Sequence, residues 1–196
     1  MNFLLLTHGA GSNRNAPLLV ALAEAFRESN VEVLRYDLSF RQERPHGPPR
    51  PGDATRDRAG LREEILKIRE KKRERVWLGG HSYGGRQSSI LAAETPDLVD
   101  ALLLLSYPLH PPRKPGELRT AHFPELRTPA LFVHGSRDPF ASTAELKDAI
   151  TLIPADVSLL EIEGAGHDLG RNHADVASRI VEAFLKDCLR LRNRLV

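Results

Sequence analysis

The sequence predicts an α/β protein, a doubly wound and mostly parallel sheet of about six strands with helices on both faces. Three observations carry this reading. Apolar runs of strand length recur along the chain, and most are continuously apolar rather than alternating, as suits strands covered on both sides. Between them lie segments whose apolar residues repeat at helical spacing. Strand and helix alternate almost throughout, which calls for crossover connections and a parallel sheet.

The elements follow in order. "FLLLT" (Phe3 to Thr7) is the first strand. The stripe Leu18, Leu22, Phe26 marks a helix, with Asn15 as candidate cap and Asn30 as its C-terminal stop. Val31 to Tyr36 is the second strand, and the Pro- and Arg-rich Ser39 to Thr55 reads as an irregular segment. Asp53 is a candidate cap for a helix with the stripe Leu61, Ile65, Ile68. Strands are expected at Arg75 to Gly79, Ala101 to Ser106, Ala130 to His134 and Val157 to Glu163. "STAE" (Ser142 to Glu145) is a possible capping box, and Val176, Ile180, Phe184 and Cys188 form the last helical stripe. A second Pro- and Arg-rich stretch, Tyr107 to Thr128, follows the fourth strand. In such sheets ligands gather at the carboxyl ends of the strands, so both irregular stretches lie on the expected active side.

The 196 residues suit one domain, 1–196, with one buried core. The longest apolar runs, "FLLL" and "ALLLL", fall far short of the roughly 20 residues that span a bilayer. "MNFLLLTHG" lacks the basic start and cleavage site of a signal peptide, so no membrane association and a cytoplasmic location are expected. Cys188 is the sole cysteine, which excludes an internal disulfide and a thiolate metal site. The net charge of +2 names no partner. "KIREKKRER" (Lys67 to Arg75) carries two interleaved glutamates and reads as a solvated helix end rather than a nucleic-acid patch.

"GGHSYGG" (Gly79 to Gly85) carries the chemistry. Gly80-His81-Ser82-Tyr83-Gly84 matches G-x-S-x-G, with a strand before it and the helical "GGRQSSILAAE" after it. A turn that sharp strains Ser82 and lifts it above the sheet, and glycines two positions either side relieve the collision. Ser82 also meets a helix N-terminus, which favours developing negative charge. A serine hydroxyl is a weak nucleophile, so it needs a base held by a carboxylate. Asp138 in "SRDPF" follows the fifth strand and His167 in "AGHDLG" follows the sixth. The order Ser, Asp, His is that of nucleophile-elbow enzymes; Asp156 and Glu163 are less well placed as the acid.

Acyl transfer also needs donors for an oxyanion. Tyr83 N–H, next after the nucleophile, supplies one; Ala10 in "THGAGSN" supplies the second, with Gly11 as the alternative. "HGAG" lacks the lysine of a phosphate-binding P-loop and the spacing of a dinucleotide fingerprint. The pair His167 and His173 has no recognised metal-ligand spacing, so neither metal nor cofactor is expected. Gly11, Tyr83, Tyr107, Leu109, His110 and Phe140 are candidate substrate contacts from their places beside strand ends. His8, His81 and His134 neighbour the pocket without acting as bases. Arg41, Arg44 and Arg50 read as solvated loop arginines, with reception of an anionic substrate group as the alternative.

With these motifs the chain resembles the α/β-hydrolases. More narrowly it is similar to the small hydrolase family that includes testis-expressed protein thirty and the hydrolase-like domain of subunit three of the chromatin-associated NSL complex. The narrower resemblance rests on "THGAG" followed by "PLLVALAEAF", on "YPLHPPRKPGELRTAHFPEL", on "LFVHGSRDPF" and on "GAGHDL". It implies a minimal sheet without the first antiparallel strands of larger members and without a helical cap. The activity implied is cleavage of a small-molecule ester, thioester or similar acyl group through Ser82, His167 and Asp138. Two other readings stay open: an interaction module that keeps the fold and binds a protein partner through "YPLHPP", and a peptidase.

Overall fold

The computed structural model describes residues 1–71 and 73–194, with 189–194 as backbone alone. Lys72, within the basic run, and residues 195–196 lie outside the described residues. Among the described residues six strands form one sheet: β1 (Phe3–Thr7), β2 (Glu32–Tyr36), β3 (Val76–His81), β4 (Ala101–Leu105), β5 (Ala130–Gly135) and β6 (Val157–Ile162). Their order is β2-β1-β3-β4-β5-β6, and each pairing is parallel.

Position in the sheet explains the sequence patterns. β1 and β4 are buried along their whole length, whereas the edge strands β2 and β6 are mostly half-buried. Successive side chains point to opposite faces, so the run Leu4, Leu5, Leu6 serves two cores. Leu5 joins Leu78, Leu104 and Phe132 under α3 (Asp53–Glu70), α4 (Tyr83–Glu94) and α5 (Thr143–Ile150). Leu4 and Leu6 join Trp77 and Leu103 under α1 (Pro17–Glu28) and α6 (His173–Arg194). The helical stripes read from the sequence are buried on these faces.

Helix ends follow the sequence signals in part. Asn30 adopts a left-handed φ of 58°, and Asn30 N–H and Val31 N–H donate to the carbonyls of Arg27 and Phe26, closing α1 in a Schellman turn. The capping box Ser142 to Glu145 is present at α5. Asn15 is not the cap of α1: Ala16 holds that position before Pro17, and Asn15 Oδ1 instead accepts from Arg35. Asp53 lies one residue inside α3, behind Gly52 at φ 88°; its carboxylate accepts from Arg50 N–H and pairs with Arg44 and Arg56. The segment Ser39 to Thr55, expected to be irregular, contains the short helix α2 (Ser39–Glu43), formed where Phe40 turns into the core.

The order of the strands reverses direction between β1 and β3. Connections leaving these neighbours diverge there, above the carboxyl ends where sheets of this kind bind ligands. No helix among the described residues is long and apolar enough to cross a membrane.

Candidate active site

β3 runs on through Gly80 and His81, and α4 begins at Tyr83, so Ser82 alone makes the turn. It takes φ 53° and ψ −114°, a sparsely populated region for a residue with a Cβ. Two bonds hold that strain: Ser82 N–H donates to Leu105 O at 2.8 Å, and Ser82 O accepts from Arg86 N–H at 2.9 Å. The flanking glycines are sterically required. A Cβ on Gly80 would lie 2.5 Å from backbone atoms of Gly84 and Gly85, and one on Gly84 would lie 2.5 Å from His8 O.

The structure brings the predicted Ser, Asp and His together from three strand ends. Asp138, 6% exposed, accepts from Phe140 N–H at 2.9 Å through Oδ1 and meets His167 Nδ1 at 2.8 Å through Oδ2. The carboxylate only accepts, so Nδ1 carries the proton and the Nε2 lone pair faces Ser82 Oγ, 2.8 Å away. Phe140 stacks on the His167 ring with centroids 4.3 Å apart. On the other side His81 Nε2 donates to the backbone carbonyl of His167 at 2.8 Å. The arrangement can move a proton from the serine hydroxyl to the imidazole while the carboxylate fixes the ring.

The loop after β1 abuts Ser82: a Cβ on Gly9 would lie 3.4 Å from Ser82 Cβ and 3.0 Å from His81 Nδ1. His8 Nε2 accepts from Leu38 N–H at 3.1 Å, so its Nδ1 carries a proton and donates to Gly9 O at 2.8 Å. That fixes the plane of the peptide whose other end is Ala10 N–H. Tyr83 N–H belongs to the first turn of α4, whose amides lack intrahelical acceptors. Gly11 is exposed, and a Cβ added there would meet nothing within 4 Å.

Arg41 is not a solvated loop residue. It is 7% exposed and donates to the carbonyls of Ala10 (3.0 Å), Ser12 (2.9 Å), Arg44 (3.1 Å) and Gly47 (3.1 Å), tying the loop after β1 to the segment after α2. Replacing it by Met strands these acceptors, and Arg41→Met is expected to lose about 2–3 kcal/mol of stability, read as a lower urea midpoint. An unchanged midpoint would show that the loops hold without the guanidinium. Arg44 is likewise engaged, with Asp53.

Tyr107 and Leu109 do not line an opening beside the strand ends. Both are fully buried in the core, because Ser106 takes a left-handed φ of 48° and turns the chain inward; Tyr107 packs on Phe123 and Phe132 and donates to Arg119 O at 2.7 Å. His110 is also buried, with Nδ1 2.8 Å from Pro111 O. Phe140 and Tyr83 remain half-buried near the site. Sequence reasoning missed Asp57, which is fully buried and accepts from Phe40 N–H (2.9 Å) and Tyr83 Oη–H (2.7 Å). A signal was present: Asp57 extends the stripe Leu61, Ile65 by one more step of four.

Burial lowers the affinity of several imidazoles for a proton: His8 and His134 fall below their ordinary value, and His81 and His122 fall to about 4. The unfolded chain protonates these groups near 6.5, so between about pH 6.5 and 4 it binds more protons than the folded one. Stability is present above this window and lost as pH falls through it, at up to ~1.4 kcal/mol per pH unit for each imidazole. Asp57, raised by burial, acts in the opposite sense at the acid end. The thermal midpoint is therefore expected to drop steadily on acidification from neutral pH. A flat profile would mean that the imidazoles are as protonated folded as unfolded.

The parallel sheet with this strand order, a strained serine between β3 and α4, and helices on both faces define the α/β-hydrolase class, in its minimal form without a cap among the described residues. The family described as alpha/beta hydrolase domain matches residues 1–186, and the chain belongs to it. It is similar to an alpha-beta serine hydrolase homologue from Coxiella burnetii, with a TM-score of 0.75 and 19% identity over 93% of this chain and 84% of the other. It is also similar to dienelactone hydrolase from Anabaena variabilis, with a TM-score of 0.74 and 23% identity over 95% and 86% of the two chains. At these identities the likeness is one of fold. A stretch of 99 residues, 50% of this chain, is 34% identical to polyketide synthase ThaQ from Burkholderia thailandensis, and spans 4% of that protein's length.

Proposed function

We propose that the protein is a serine hydrolase that cleaves a small ester, thioester or related activated acyl group through an acyl-enzyme. The observation that supports this reading most directly is the continuous relay from Ser82 Oγ through both nitrogens of His167 to Asp138, each step 2.8 Å. Ser82 Oγ attacks the acyl carbon while His167 Nε2 takes its proton, and the carbonyl oxygen becomes an oxyanion facing the amides of Tyr83 and Ala10. His167 returns the proton to the leaving group. Water then enters, gives a proton to His167 as its oxygen bonds the acyl carbon, and His167 passes that proton to Ser82 Oγ as the acid is released, restoring both groups. Asp138 orients His167 and stabilises its imidazolium. No cofactor takes part in this scheme. The narrower likeness to the family of testis-expressed protein thirty, carried by "YPLHPPRKPGELRTAHFPEL", belongs to this proposal, as does a cytoplasmic location.

The deciding experiment is intact mass after treatment with a fluorophosphonate, on the wild type and on Ser82→Ala matched for folding by circular dichroism. One adduct on the wild type and none on the variant is expected. No adduct on either folded protein would sink the hydrolase reading and leave the interaction module. A matched pair of ester and amide substrates then separates an esterase from a peptidase.

A further inference from the structure

Beyond Ser82, α4 meets the segment that follows β4 through the buried Ser89. Arg86, whose N–H bonds Ser82 O, stands there with Arg119, whose N–H donates to Leu109 O and whose Nη1 donates to Pro108 O. Ser89 Oγ donates to Arg86 O at 3.0 Å and so accepts from His122 Nε2, 2.8 Å away. Tyr107 joins the group by donating to Arg119 O. Arg86, Arg119 and His122 are all half-buried and so in reach of solvent.

The charges are unbalanced. The nearby carboxylates are already used, Glu94 by Arg58 at 3.0 Å and Glu117 by Lys114 at 2.8 Å. Among the described residues neither Arg86 nor Arg119 has a carboxylate within salt-bridge distance, and Arg86 Nε is shielded from solvent without any hydrogen-bond partner. A guanidinium donor that is shielded and unmatched, with a second guanidinium near enough to be felt, is costly unless an anion joins them. Arg119 holds its proton less firmly than usual because of burial and then of Arg86, and His122 is depressed to about 4 by burial, Arg86 and Arg58.

We propose that Arg86, one helical turn from Ser82, forms with Arg119 and the Ser89–His122 pair, which joins α4 a further turn on, an anion-binding subsite for a carboxylate or phosphate borne by the acyl substrate. The inference rests on the hydrolase reading of Ser82. A turn of helix rises about 5.4 Å, so the backbone of Arg86 stands one turn and that of Ser89 about two turns from Ser82, and the substrate this subsite suits carries its anionic group on a spacer beyond the reacting carbonyl. Guanidinium groups suit both anions, since each presents paired donors to paired oxygens. An anion seated here offsets the two cations, so His122 takes up a proton at Nδ1 more readily.

The test uses the full chain carrying Ser82→Ala. Potassium phosphate and, separately, succinate are titrated in, followed by calorimetry and by the imidazole resonances of His122. Saturable binding is expected, with the pH midpoint of His122 moving upward, and about tenfold weaker binding in Arg119→Met. Saturation by phosphate alone assigns the group to a phosphate, and by succinate alone to a carboxylate. Absence of saturation by both anions overturns the proposal. So does binding undiminished in both Arg119→Met and Arg86→Met, each checked for folding by circular dichroism. On protein that retains Ser82, the ratio of kcat/KM for para-nitrophenyl hemisuccinate over para-nitrophenyl butyrate should fall in Arg119→Met if the anion is a carboxylate. Anion binding without turnover of either ester fells the hydrolase reading and leaves the subsite. Turnover of both esters without anion binding does the reverse.

Discussion

Asp138→Asn is expected to slow phosphonylation and acyl transfer at Ser82 by about 10³- to 10⁴-fold while leaving the fold in place. An amide can donate where the carboxylate only accepted. The side chain keeps its volume and its bond from Phe140 N–H, but its NH₂ can now face His167 Nδ1. The imidazole then moves its proton to Nε2, which points at Ser82 Oγ and can no longer accept from it. The loss of negative charge also removes the stabilisation of the imidazolium that forms during attack. Second-order rates of fluorophosphonate labelling, read beside urea midpoints, check this. A rate within a few fold of wild type, at unchanged stability, would mean that another group orients His167.

Gly135→Ala is expected to fail for a steric reason and to do so at a distance from the serine. A Cβ at this position would lie 2.4 Å from Gly166 O and 2.5 Å from Ala165 O, where no backbone atom can remain. The loop that carries His167 crosses the end of β5 at that point, and Arg137 N–H ties it down through Ala165 O at 2.8 Å. The loop must move, at a cost of about 1–3 kcal/mol. A displacement of about 1 Å at the base is enough to cost ~10²-fold in rate. Gly116→Ala is the control, because nothing lies within 4 Å of its added Cβ. Equal labelling rates in the two variants would show that the base does not depend on this crossing.

Much of the site is legible in the sequence because each participant follows its own strand. Ser82, Asp138 and His167 sit at ends marked by apolar runs, and the parallel sheet gathers such ends on one side. Tyr107 and Leu109 escape this logic because alternation along β4 stops at Ser106, whose left-handed backbone carries no sequence mark. Arg41 misleads because an arginine between prolines and further arginines looks solvated; its four carbonyl partners come from loops whose approach is a property of the tertiary fold. The α2 helix is hidden in the same composition.

The bond between Ser82 and His167 joins residues 85 apart in the chain, and the two partners stand on unequal ground. Ser82 rises from an interior strand with neighbours on both sides, whereas His167 follows β6, which has a neighbour on one side only. Where opening begins at that margin, the imidazole is expected to leave before the serine is disturbed. A molecule fluctuating in this way would keep Ser82 in position and lose only its imidazole partner. Labelling of Ser82 is then expected to report on the sheet's outer margin: a partly opened protein would look native by circular dichroism yet react more slowly with the phosphonate.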